Sequence, residues 1–141
     1  MANRVAGAPM AQSAVPRVLI VEDQLSVGMH LAAILEDCGC LPVGPVCTVT
    51  TALPLAIGEE LDAALLDIYL IDQKVEPIAG VLQRRGIPFG FVTAYSREHL
   101  PPSFQTRPCI TKPFTDREVR ALVSALTGAA SVAGSTPARL G

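Results

Sequence analysis

The sequence predicts an α/β protein, a five-stranded parallel sheet with helices on both faces and a fourth helix that is short or irregular. Two observations carry this prediction. Strand-sized apolar runs alternate with segments whose apolar residues recur at helical spacing, in the order β-α-β-α-β-α-β-α-β-α, which implies parallel strands joined by crossover helices. Four of those runs are followed at once by a polar group: Glu22-Asp23, Asp67, Thr93 and Lys112-Pro113. The carboxyl ends of parallel strands share one edge of the sheet, where ligands bind. These four fragments are therefore expected to converge.

The first strand is read at residues 17–21 (Arg-Val-Leu-Ile-Val). Val27, Leu31, Ile34, Leu35 and Cys38 follow at helical spacing, and Gly39 stops that helix. Residues 40–46 read as a second strand, confined to an edge by Pro42 and Pro45. Pro54 would break a helix interior but is tolerated in a first turn, so the next helix is expected from near Thr51 to near Glu59. Residues 63–66 form the third strand, and Val75, Ile78, Ala79 and Leu82 mark the helix after it. The fourth strand is read at 87–92. Ser96 to Leu100 allows a single turn before Pro101-Pro102 ends it. The fifth strand is read at 108–111. The last helix opens on a capping box, Thr115 with Glu118, and carries Val119, Leu122, Val123 and Leu126 on its apolar face. Residues 1–16 and 128–141 are mainly Ala, Gly, Ser, Pro and Thr, and are expected to be flexible tails around one domain, 17–127.

Composition narrows the function. The 141 residues suit one domain; half are apolar but only 4% aromatic, so Leu, Val, Ile and Ala must fill the core. No apolar run approaches the roughly 18 residues of a membrane span. Residues 1–16 lack the apolar stretch of a signal peptide. A net charge of −2 without a basic cluster argues against nucleic-acid binding. Cys38-Gly39-Cys40 is C-x-C, and His30 and His99 stand at no ligand spacing, so the four cysteines read as small hydrophobes and not zinc ligands. Reduced cytosol is the matching compartment.

Taken singly, each strand-end fragment has an ordinary reading: a loop acid pair, a turn cap, a strand-end hydroxyl, a solvated lysine. In conjunction they make a site for Mg²⁺ and a phosphoryl group. Mg²⁺ prefers oxygen ligands, and a cation relieves the repulsion of crowded carboxylates. An ionised Asp67 could then attack a phosphoryl donor and form an aspartyl phosphate. The Thr93 hydroxyl, the Ala94 backbone N–H and the mobile Lys112 cation would meet the new phosphoryl oxygens.

At these residues the sequence resembles the receiver domains of two-component response regulators. The resemblance covers about residues 17–127 and rests on Val-Leu-Ile-Val-Glu22-Asp23, Leu-Leu-Asp67, Val-Thr93-Ala94 and Thr-Lys112-Pro113-Phe114. It implies a flavodoxin-like (βα)5 fold and phosphorylation of Asp67, with Mg²⁺, by a histidine kinase or a histidine phosphotransfer protein. It implies that Asp23 ligates the metal directly, Glu22 largely through water, and the Tyr69 carbonyl as a further ligand. A downstream protein, unidentified, would read the phosphorylated state, unless the domain serves as a phosphate sink. Receivers usually carry an aromatic switch residue where this chain has Cys109; Tyr95 is the candidate substitute. The segments Asp67-Ile68-Tyr69-Leu70 and 87–95 are similar to those of output-free bacterial receivers with a Phe-Ala-Thr motif on strand four. Two other readings stand beside this one: a phosphatase that forms an aspartyl phosphate, and a degenerate receiver that only scaffolds. The first is disfavoured by Tyr69, which stands where such phosphatases have their second acid.

Overall fold

A computed structural model describes residues 14–128. Of the tails expected at 1–16 and 128–141, residues 1–13 and 129–141 lie outside the described residues. The strands are β1 (Arg17–Val21), β2 (Leu41–Val46), β3 (Ala63–Leu66), β4 (Phe89–Thr93) and β5 (Cys109–Thr111). The helices are α1 (Leu25–Asp37), α2 (Val49–Gly58), α3 (Glu76–Arg85) and α4 (Asp116–Thr127). All strand pairs are parallel, in the order β2-β1-β3-β4-β5. The chain leaves β1 towards one edge and returns to β3 on the other side, which opens a crevice at their carboxyl ends.

The alternation of side chains along the strands divides the core into two layers. Leu19, Val21, Ala64, Leu66, Phe89 and Phe91 pack under α2 and α3. Val18, Ile20, Ala63, Leu65 and Val92 pack under α1 and α4. With both faces covered, every residue of β3 and β4 is buried, and neither strand shows polar alternation. The prolines of β2 fall on an edge strand, as expected. Gly44 in that strand has φ +98°, and a Cβ there would stand 2.9 Å from the Ile20 carbonyl oxygen. Gly28 lets α1 approach β2, since a Cβ on it would stand 2.7 Å from the Pro45 Cβ.

Two expectations on element boundaries change. Helix α2 begins at Val49, two residues before the expected start, so Pro54 lies inside it. Two caps explain the early start: the Thr48 hydroxyl accepts from the Thr51 N–H at 3.1 Å, and Asp72 accepts from the Val49 and Thr50 N–H groups. Pro54 then costs one intrahelical bond, offset by the burial of Val49, Ala52 and Ala56. Strand β4 is shifted two residues along at its start, because Gly86 (φ +74°) and Ile87 close α3, with N–H groups donating to Gln83 and Leu82 carbonyls. The fourth helix, expected to be short or irregular, is the single turn Arg97–His99 and, past Pro101, a second 3₁₀ turn at Pro102–Phe104. Leu100 and Phe104 still anchor this segment in the core. The Thr115–Glu118 capping box forms as expected.

Candidate metal and phosphoryl site

Sheet register brings the four fragments together. Val21 pairs with Leu66, so the residues that follow each, Glu22 and Asp67, leave the sheet side by side. The Asp67 N–H still donates to the Val21 carbonyl at 2.9 Å, and the Glu22 N–H to the Val46 carbonyl at 2.9 Å. On the other flank Thr93 pairs with Thr111, and the Lys112 N–H donates to the Thr93 carbonyl at 2.8 Å. Backbone bonds thus fix where each side chain starts.

One carboxylate oxygen from each of Glu22, Asp23 and Asp67 lies within 4.8 Å of the other two. Lys112 Nζ donates to Asp67 Oδ2 at 2.9 Å and to Glu22 Oε2 at 2.9 Å. Asp67 Oδ1 accepts from the Ile68 N–H at 2.8 Å, and Glu22 Oε2 from the Gln24 N–H at 3.1 Å. Glu22 and Asp67 are almost wholly buried, at 1% and 5% exposure, while Asp23 is only partly so.

This burial sets the electrostatics. Desolvation, helped by the neighbouring acids and opposed by Lys112, pushes Glu22 up to about 7. Desolvation also raises Asp67, despite its two interactions with Lys112. For Asp23 the burial effect is outweighed by hydrogen bonding with Glu22 and Asp67 and by the Lys112 charge, so it is held below its ordinary value. Burial opposes the Lys112 charge, but the two carboxylates win and raise its pKa. The site therefore holds three acids against one fixed cation. Hard oxygen donors with surplus negative charge fit Mg²⁺, and the Tyr69 carbonyl accepts no hydrogen bond from the backbone of the described residues.

Thr93 is fully buried, and its Oγ1 accepts from the Tyr95 N–H at 3.2 Å. Ala94 and Lys112 line a groove of about 660 Å³ that continues past Gln24, Val27, His30 and Phe114. Tyr95 is 43% exposed, with its ring edge-on to Tyr69 at a 4.6 Å centroid distance. Cys109 is partly buried beside the α2/α3 layer, and burial raises its thiol pKa. All four cysteines are free thiols.

Two features of the site's surroundings have no signal in the sequence. The Tyr69 hydroxyl meets His99 Nδ1 at 3.1 Å, so Tyr69, Tyr95 and His99 form one ring cluster beside the site. The partners are thirty residues apart, and no local spacing marks them. His30 packs against Phe114 (5.5 Å between centroids) and meets Asp116 at 3.3 Å, joining α1 to the start of α4.

Comparison with known proteins agrees with this architecture. No protein-family model matches the chain. The chain is 30% identical over 127 residues to the phyllosphere-induced regulator PhyR of Methylorubrum extorquens, covering 84% of this chain and 46% of that protein. It thus spans about half the length of that curated relative. The solution structure of SdrG from Sphingomonas melonis Fr1 is 39% identical with a TM-score of 0.71, covering 79% of this chain and 96% of that one. The receiver domain of Erythrobacter litoralis PhyR is 28% identical with a TM-score of 0.71, covering 82% of this chain and 92% of that one. With its parallel 2-1-3-4-5 sheet and a strand-end acid cluster, the chain belongs to the receiver domains of two-component response regulators.

Proposed function

We propose that this receiver, residues 17–127, takes a phosphoryl group on Asp67 from the histidine of a kinase or a histidine phosphotransfer protein. One observation supports the reading above the rest: Lys112 Nζ stands 2.9 Å from Asp67 within a three-carboxylate cluster. Mg²⁺ would be held by Glu22, Asp23, Asp67 and the Tyr69 carbonyl, and when bound it offsets the charge of the group being transferred. Asp67 is aimed by the Ile68 N–H on one oxygen and Lys112 on the other. A carboxylate oxygen attacks phosphorus, the P–N bond to the donor breaks, and its electron pair returns to the imidazole. Lys112 stays protonated and turns from Glu22 to the incoming phosphoryl oxygens, joined by the Thr93 hydroxyl and the Ala94 N–H.

The groove between α1 and Phe114 leaves Lys112 and Ala94 open to an approaching donor. SdrG, aligned over nearly its whole solved chain, also has a BeF3-activated conformation, and BeF3 imitates a carboxylate-bound phosphoryl group. This relation favours a cytoplasmic signalling protein over a turnover enzyme. The phosphorylated surface would bind a downstream protein or drain a kinase as a phosphate sink. Intact-mass measurement after acetyl phosphate and Mg²⁺ tests the reading. The wild type should gain one phosphoryl group and Asp67→Asn none; no gain in either protein would overturn it.

A further inference from the structure

Asp72 lies midway along the loop that leads from Asp67 to α3, yet its side chain bonds to another element. Its Oδ1 accepts from the Val49 N–H at 2.8 Å, and its Oδ2 from the Thr50 N–H and hydroxyl at 3.2 and 3.1 Å. The β2–α2 junction that it grips touches the site's other loop as well, because the Val46 carbonyl accepts from the Glu22 N–H at 2.9 Å. Residues 46–50 therefore bridge the two loops that carry the acids. On the Asp67 side, the backbone tie between loop and junction is long, the Ile71 N–H to the Cys47 carbonyl at 3.4 Å. The three bonds of Asp72 dominate that side of the bridge.

We propose that Asp72 is a positioning residue for metal binding: by holding the 68–71 loop to the start of α2, it keeps the Tyr69 carbonyl in register with Glu22, Asp23 and Asp67. This rests on the reading of the site as a Mg²⁺ site. Removing outer partners of a metal site typically weakens binding tenfold or more. A purely structural cap on α2 would lack this effect, and the fold contains such a cap. Thr48 caps the same helix through the Thr51 N–H and hydroxyl without reaching the loop.

The experiment compares Asp72→Ala, Asp72→Asn and Thr48→Ala in the full chain by calorimetric Mg²⁺ titration and by amide hydrogen exchange without metal. Asp72→Ala should bind Mg²⁺ about tenfold more weakly and exchange faster at Leu70 and Ile71. Asp72→Asn, which keeps an amide oxygen for Val49, should fall between it and the wild type, and it supplies the comparison if the alanine variant does not fold. Thr48→Ala should lower the melting temperature with both readouts unchanged. Wild-type affinity and exchange in the Asp72 variants, or equal losses in Thr48→Ala, would overturn the proposal. If the wild type itself binds no Mg²⁺, the reading of the site fails, and the exchange data still decide whether Asp72 holds the loop.

Discussion

Glu22 is an acid buried to 1% exposure at the end of β1. An ordinary glutamate titrates near 4.5, and here burial raises the value to about 7. Between those values the native state keeps a proton that the unfolded chain has released, so stability falls as pH rises through the window and stays lower above it. In chelator, the melting temperature of Glu22→Gln should therefore gain on the wild type between pH 5 and pH 7.5. A constant difference across that range would show that Glu22 is ionised throughout. The same residue shows what was legible in the sequence. Strand ends announce which acids converge, because strands are local and their order is countable. That Lys112 contacts Glu22 as closely as Asp67 depends on side chains ninety residues apart, and no spacing encodes it.

At the scale of elements, the sequence was legible where the stabilising group lies within one turn. The capping box of α4 is such a case: the Thr115 hydroxyl accepts from the Glu118 N–H at 3.1 Å, and Glu118 Oε1 accepts from the Thr115 N–H at 2.8 Å. Thr115→Ala should cost about 1 kcal/mol, read as a drop of roughly 4 °C in a thermal melt. An unchanged melt would mean that packing of Val119, Leu122 and Val123 alone holds the helix. The start of helix α2 was illegible for the converse reason. One of its two caps, Asp72, is twenty-three residues away in sequence from Val49, and of the two local signals Pro54 pointed away from the start that Thr48 caps.

The whole molecule raises the question of how the phosphoryl group proposed for Asp67 would be felt at the surface. In many receivers an inward-swinging aromatic residue carries the change, and Cys109 cannot. The structure offers a different linkage through Thr93. Its Oγ1 is engaged by the Tyr95 N–H at 3.2 Å, so a rotation of Thr93 towards a phosphoryl oxygen releases that backbone group. The chain beyond Tyr95 is irregular: two 3₁₀ turns, held by Leu100 and Phe104 in the core and by Arg97 Nη1 bonded to the Gln105 and Arg107 carbonyls at 2.7 and 2.8 Å. Short turns closed by a few side-chain bonds open at lower free energy than a packed helix. The residues from Ala94 to Arg107 are thus the segment most easily re-set by a change at Thr93, with the Tyr69–Tyr95–His99 ring cluster at its start. Adding BeF3 and Mg²⁺ should shift the backbone amide resonances of residues 94–107 and of Lys112, and leave β2 and the second half of α1 nearly unmoved. Thr93→Val, which keeps the shape but loses the hydroxyl, should still bind Mg²⁺ while most of the shift beyond Tyr95 disappears. If the segment shifts as fully in Thr93→Val as in the wild type, the signal leaves the site by another route. If residues 94–107 do not respond in the wild type either, the segment is not the moving part.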